Sequence, residues 1–310
     1  MTGSPPLVVI AGATATGKTA LAIELGEQLR ASGRPVAIIS ADSRQVYRGL
    51  DIGTAKVTAA DRARVPHHGL DLVDPDEPFT VVDFADHAHE ILTELGARDG
   101  VAVLVGGTGL YLRAVARGLD TRALPRDPEV RAALERDLEA YGLPALVDRL
   151  VAIAPGRASR LDLANPRRVV RALEIATLRG DGSPPAFGGY DGPAAWIGLE
   201  LASATHATWI AARARAQFDA GLIEEAAALR ARYDPTLPPF SAIGYREAWA
   251  VLDGEIDRDT AIQRDIQRNL AFAKRQRSWF RSEPDIAWLD AGAPDLLARA
   301  TEATRPIASS

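Results

Sequence analysis

Gly12-Ala13-Thr14-Ala15-Thr16-Gly17-Lys18-Thr19 places two glycines, a lysine and a threonine at the G-x-x-x-x-G-K-[ST] spacing. Glycines let a backbone wrap until successive N–H groups face an anion, and the lysine adds a point charge on phosphate oxygens. Thr19 offers a hydroxyl to Mg²⁺. Such a loop holds a diphosphate or triphosphate without deciding what is done to it. A second reactive group is Asp42, in Ser40-Ala41-Asp42-Ser43-Arg44-Gln45-Val46-Tyr47. A carboxylate there could take a proton or hold a metal, and it could equally cap a helix. A third segment, Gly106-Gly107-Thr108-Gly109-Leu110-Tyr111, offers a hydroxyl between glycines that permit close approach. It reads equally well as a plain strand-to-helix turn.

These groups need elements to hold them. Leu7–Ala11 is a short apolar run ending at Gly12 and predicts a buried parallel strand. A helix follows over Lys18–Arg30, stopped by Gly33, and then a strand over Val36–Ser40. A helix over Phe84–Ala97 leads into a strand over Val101–Val105. All three reactive segments therefore fall at the carboxyl ends of strands, where open parallel sheets bind ligands. From Asp127 to Leu178 the pattern is helical with no strand, and Gly180–Pro193 reads as a loop. Ala195–Leu201 is a returning strand, followed by helices over about Thr208–Arg232, Tyr245–Leu252 and Asp259–Arg281. The expected fold class is α/β: a core with a mostly parallel sheet, a helical insertion, and helices added at the end. The expected division is 1–119 as the first part of the core, 120–194 as the insertion, and 195–310 as the second, mainly helical part.

Composition narrows the chemistry. The chain has 310 residues and no cysteine, which removes disulfides, thiolate metal sites and cysteine nucleophiles. A hydrophobic fraction of 47% with 25% charge excludes a disordered or collagen-like chain. The net charge of −5 argues against a nucleic-acid binder on its face. Yet Arg149–Arg179 carries seven arginines against Asp162 and Glu174, and Arg264–Arg281 carries six basic residues against Asp265. A patch of this kind is what phosphate contacts require, and whole-chain charge does not report a patch. No basic region precedes the first apolar run and no stretch is long enough to span a bilayer, so a cytoplasmic protein without membrane contact is expected.

Taken in order, the segments resemble the tRNA dimethylallyltransferases, also called isopentenyl-tRNA transferases. The match runs through Gly12–Thr19, Asp42–Tyr47, Asp51-Ile52-Gly53-Thr54-Ala55-Lys56 and Pro66-His67-His68. It continues with Leu70-Asp71, Asp74-Pro75, Glu77, Gly106–Tyr111 and Asn165-Pro166-Arg167-Arg168. Arg171-Ala172-Leu173-Glu174, Ile243-Gly244-Tyr245-Arg246 and Lys274-Arg275-Gln276 complete it. Ala13 replaces the usual proline of the loop and Thr16 the usual serine, and Trp209 stands where an arginine is often found.

The resemblance implies transfer of a dimethylallyl group from dimethylallyl diphosphate to the exocyclic amine of the adenosine 3′ to the anticodon, in tRNAs reading U-initial codons. It implies an α/β fold with a P-loop kinase-like core, a parallel sheet with helices on both faces, plus an all-helical insertion domain. It also implies Asp42 as the base and Thr108 as the residue fixing geometry. Gly12, Ala13, Thr14, Ala15, Thr16, Gly17, Lys18, Thr19 and Arg213 would hold the diphosphate, with Thr19 on Mg²⁺. Asp42, Ser43, Arg44, Gln45, Thr108, Arg131, Arg168 and Arg171 would meet the tRNA anticodon stem-loop. Gln45 can offer donor and acceptor to an adenine edge. A monomer is expected.

Other residues are read structurally. His67, His68, His87 and His89 lack metal-ligand company, His206 reads as a loop residue, and Trp279-Phe280 as packing at a helix end. Three other functions share parts of the pattern. A transferase acting on free adenine nucleotides would not need the arginine-bearing insertion. A metabolite kinase would not use Asn165–Glu174, and a nucleotide-gated RNA binder leaves Gly106–Tyr111 unexplained.

Overall fold

The computed structural model describes residues 3–123, 125–182 and 187–308. The chain begins with β1 (Leu7–Gly12), α1 (Lys18–Arg30), β2 (Val36–Ser40), α2 (Ala59–Arg64) and the two-residue β3 (His67–His68). Next come α3 (Val81–Gly96), β4 (Val101–Gly106) and α4 (Gly109–Ala116). Three helices follow: α5 (Pro128–Ile153), α6 (Pro155–Ala158) and α7 (Pro166–Arg179). The chain returns with β5 (Ala194–Glu200), α8 (Ser203–Asp219), α9 (Leu222–Arg230), α10 (Tyr245–Leu252), α11 (Arg258–Phe280), β6 (Ile286–Asp290) and α12 (Leu296–Ala308).

The six strands form one sheet in the order β3-β2-β4-β1-β5-β6, every pair parallel. Continuous apolar runs suit its centre, because both faces are covered. Alternation divides those runs between two cores. Leu7, Val9 and Ala11 pack with Phe84 of α3, Leu112 of α4, Ile210 of α8 and Phe280 of α11. Val8 and Ile10 point the other way, toward Leu21 and Leu25 of α1 and Ala300 of α12. Each fully buried leucine or isoleucine contributes roughly 1.5–3 kcal/mol against exposure.

Order within the sheet creates the crevice. The chain passes from β1 to β2 across β4, and from β4 to β5 across β1. The loops after β1 and β4 therefore diverge at the carboxyl edge, which is where a ligand can enter.

Two compact units are present: the residues up to Gly118 together with those from Gly189, and Leu119–Gly188. The second has its own core, in which Leu134, Leu146 and Leu150 of α5 pack on Val169 and Leu173 of α7. Residues 183–186, within the expected loop Gly180–Pro193, lie outside the described residues. Gly189–Pro193 lie in the core unit, where the Tyr190 hydroxyl donates to the Pro5 carbonyl at 2.7 Å. Among the described residues, no helix is long and apolar enough to cross a membrane.

Four differences from the sequence reading have physical causes. The helix expected over Thr208–Arg232 is two, α8 and α9, because Gly221 adopts φ 101° between them. Helix α8 begins at Ser203, so His206 lies inside a helix and is 2% exposed, correcting its placement in a loop. β3 is too short and too polar to show a strand pattern, and β6 is an edge strand with four partly or fully exposed positions out of five. α12, which the sequence reading left unassigned, brings Ala300 and Ile307 to the core that α1 lines.

Candidate active site

Strand β1 delivers the phosphate loop. Gly17 is the N-cap of α1 with φ 80°, a left-handed turn that turns the chain into the helix. The loop is braced from inside: the buried Thr16 hydroxyl donates to the Ala13 carbonyl at 2.9 Å, and Lys18 Nζ donates to the same oxygen at 2.6 Å. Burial, with the nearby Arg213 guanidinium, pulls the Lys18 pKa down to about 7, and Asp42 opposes them. Thr14 is fixed at three atoms by three helical residues. Its N–H donates to Gln276 Oε1 at 2.8 Å, its carbonyl lies 2.8 Å from His206 Nε2, and its hydroxyl accepts from Arg213 Nη1 at 2.7 Å.

Strand β2 delivers Asp42. Its Oδ1 accepts the Arg44 N–H at 2.8 Å, a local turn bond, while Oδ2 accepts no hydrogen bond among the described residues. The turn-capping and reactive readings of this carboxylate are thus compatible, one oxygen for each. Strand β4 delivers Thr108, the N-cap of α4, which makes no side-chain cap to its own helix. Its hydroxyl instead accepts the Ser43 N–H at 3.1 Å, and its own N–H donates to the Ala41 carbonyl at 3.2 Å. The glycines before it allow close approach by protein. A Cβ on Gly106 would stand 2.1 Å from the Ala41 carbonyl oxygen, and one on Gly107 would stand 2.3 Å from Gln276 Nε2.

One cavity of about 730 Å³ joins these segments. Thr14–Thr19, Asp42–Gln45, Thr108 and Arg213 all line it, together with Ser241–Ile243, Arg268, Phe272 and Gln276. Burial lowers the pKa of the Arg213 guanidinium and Asp42 and Asp265 raise it; the group remains a cation at any working pH. Arg44 is committed to the far wall, with Nη1 on the Pro238 carbonyl at 2.9 Å and Nη2 on the Ser241 hydroxyl at 2.8 Å. Gln45 is bonded at both ends within the protein. Its Oε1 accepts from Ser40 Oγ at 2.8 Å, and its Nε2 donates to the Thr54 carbonyl at 3.0 Å. The amide that could read an adenine edge therefore shapes the wall in this arrangement.

The wall at Gly53–Ala55 is held by a carboxylate nest. Glu225 Oε2 accepts the N–H groups of Asp51 (3.1 Å) and Ile52 (2.7 Å), and Oε1 accepts Gly53 N–H (3.1 Å) and the Tyr245 hydroxyl (2.7 Å). Lys56, its side chain 1% exposed, ends the segment between Asp51 and Asp71, each at 2.6 Å.

The remaining expected residues lie on the helical unit. Arg131 and Arg171 converge on Glu174, which is 1% exposed, and Arg171 also donates to the Pro125 carbonyl at 2.8 Å. Burial raises the pKa of that carboxyl, but the Asp127 N–H and the two guanidiniums hold it below the ordinary value. Arg168 is more than half exposed, 3.9 Å from Asp162. Three residues carry roles the sequence reading did not give them: Gln276 and His67, which line the cavity, and His206, which meets the Thr14 carbonyl. His67 Nδ1 lies 2.7 Å from the Val65 carbonyl, and its buried Nε2 has no hydrogen-bond partner among the described residues. Burial lowers its pKa and keeps the ring neutral at pH 7.

A parallel sheet, a glycine loop wrapping onto a helix N-terminus and a crevice beside it define the class of P-loop α/β proteins. Within that class the chain belongs to the IPP transferase family, whose model matches residues 45–283. It is 45% identical to a tRNA dimethylallyltransferase of Anaeromyxobacter dehalogenans (strain 2CP-C), over 96% of this chain and 99% of that one. It is 42% identical to a tRNA dimethylallyltransferase of Roseiflexus sp. (strain RS-1), over 97% and 98%. Among solved structures it is similar to the full-length tRNA isopentenylpyrophosphate transferase of Bacillus halodurans, with TM-score 0.70, 39% identity, and 98% and 96% of the two chains covered. It is also similar to a eukaryotic dimethylallyltransferase acting on tRNA, with TM-score 0.76, 25% identity, and 96% and 78% covered.

Proposed function

We propose that this protein transfers the dimethylallyl group of dimethylallyl diphosphate to the exocyclic amine of the adenosine 3′-adjacent to the anticodon, in tRNAs reading U-initial codons. The products are N6-dimethylallyladenosine and diphosphate. One observation carries the reading: a single cavity is lined by the phosphate loop with Lys18, by Arg213, and by Asp42 and Thr108.

An adenine amine is a weak nucleophile, because its lone pair is delocalised into the ring. The N6 nitrogen attacks the allylic carbon as the carbon–oxygen bond to diphosphate breaks, and an N6 proton passes to Asp42 Oδ2, the oxygen not engaged by Arg44. The diphosphate leaves with its electron pair. Lys18, Arg213 and the backbone N–H groups of the loop neutralise the charge that develops on it. Thr108 holds Ser43, and through it the Asp42 turn, in place. Ala242, Ile243, Ala271 and Phe272 offer apolar wall to the prenyl chain.

Among the described residues, no group of three or more His, Cys, Asp or Glu side chains could hold a metal ion. The donors that remain are the Thr19 hydroxyl and the oxygens of the diphosphate itself, a hard oxygen set that suits Mg²⁺. Mg²⁺ so held would neutralise leaving-group charge.

The arginines of Leu119–Gly188 are proposed to meet the anticodon stem-loop, Arg168 most directly because it is the most exposed of the three. A tRNA substrate implies action in the cytoplasm. Action as a monomer is part of the proposal.

The test offers labelled dimethylallyl diphosphate and Mg²⁺ with either unmodified tRNA or AMP. Label in tRNA supports the reading, and label in AMP alone replaces the acceptor. ATP turnover without prenyl transfer sinks it.

A further inference from the structure

We propose that Gln276 is a positioning residue that sets the separation between the phosphate loop and the Asp42–Thr108 edge. The inference rests on the transfer reaction proposed above. Gln276 is 7% exposed, and its amide is divided between two loops. Oε1 accepts the Thr14 N–H at 2.8 Å, and Nε2 donates to the Gly107 carbonyl at 3.0 Å. An acceptor and a donor are needed a fixed distance apart, which an amide supplies and a carboxylate or an alkyl group does not.

What lies beyond each bond makes the bridge consequential. Thr14 also receives Arg213 and faces His206, so it is the point at which three helical side chains grip the phosphate loop. Gly107 precedes Thr108, whose hydroxyl holds Ser43, the residue after Asp42. A shift at Gln276 therefore moves the leaving-group site against the base. The mount is rigid: Ala273, Gln276 and Phe280 lie on the buried face of α11, and Gly107 leaves no room for a methyl between loop and amide.

Gln276 touches no reacting atom in this account. Its loss should leave the substrate contacts in place and misplace the reacting groups, and a displacement near 1 Å can cost on the order of 10²-fold in rate. Gln276→Leu keeps the bulk and removes both bonds. The expected result is a kcat lowered about 10- to 100-fold, with both KM values and the affinity for inorganic diphosphate within about threefold. Gln276→Glu keeps the acceptor for Thr14. Ionised, it sets a carboxylate against the Gly107 carbonyl; protonated, it regains a donor. An ordinary glutamate is ionised throughout the neutral range, so kcat should fall with both KM values kept, as for the leucine variant. Turnover of Gln276→Leu within threefold of wild type overturns the inference. So does a Gln276→Glu turnover within threefold of wild type, and this second variant decides the matter if the leucine variant fails to fold. Wild-type protein that transfers no dimethylallyl group to tRNA instead sinks the underlying reaction.

Discussion

Asp42 reaches the cavity with one carboxylate oxygen held by Arg44 N–H and the other open to accept a proton. Asp42→Asn keeps the turn bond and removes the basicity. We expect labelled-prenyl transfer to fall by about 10²-fold or more, with tRNA affinity retained; unchanged turnover would reassign the base. Lys18 sets a pH dependence of its own. Its pKa is about 7 in the free site, and a bound diphosphate must raise it by pairing with the ammonium. Above pH 7 binding then takes up a proton. Affinity for inorganic diphosphate should weaken from pH 7 to 9, by at most about tenfold per unit. Calorimetry in buffers of different ionisation enthalpy reads the proton directly, and an affinity flat over that range would show that Lys18 is not the contact. The phosphate loop, Asp42 and Thr108 were legible in the sequence because each follows its own strand within a few residues. His206 and Gln276 were not, because they reach Thr14 across 192 and 262 residues. No local pattern announces a contact made at that separation.

Elements were readable in proportion to how far they are buried. β1, β2 and β4 are buried at every position and appear as continuous apolar runs. β3 and β6, at the two edges, carry polar or exposed positions and do not. The segment Asp51–Lys56 is neither helix nor strand, and its shape comes from helix α9 through Glu225. Glu225→Ala leaves three backbone N–H groups and the Tyr245 hydroxyl without that acceptor. Each unsatisfied buried group costs about 1–3 kcal/mol, less where water can enter. A loss of roughly 2–4 kcal/mol in denaturant unfolding is expected on that basis, with Gln217 still holding the Ile52 and Gly53 carbonyls. A loss under half a kcal/mol would mean that the wall is held by Lys56 and Gln217 alone.

Across the whole molecule, net charge misdirects where local charge does not. The chain is acidic at −5, yet its arginines include both structural and exposed members. Arg131 and Arg171 secure a buried carboxylate, whereas Arg168 stands more than half exposed. Arg168→Ala should weaken tRNA binding and reduce the salt slope of log K by about 1, leaving the melting temperature unchanged. Arg131→Ala should instead lower the melting temperature, since Glu174 loses a partner it cannot replace with water. Equal effects of the two on stability would erase the distinction.

The helical unit leaves and returns at one point of the core, where Gly189 N–H donates to the Arg117 carbonyl at 3.1 Å and Gly118 lies against Gly189. This meeting bears on how the chain finds its fold. Strand β5 must locate β1 after the 70 residues of Leu119–Gly188 have intervened. Closing a flexible loop of that length costs roughly 4 kcal/mol in chain entropy on the logarithmic law. Helices α5 and α7 bring a core of their own, built from contacts nearer in sequence. Once they collapse, the strand's search is short. The insertion is then expected to gather the two halves of the sheet, folding ahead of them.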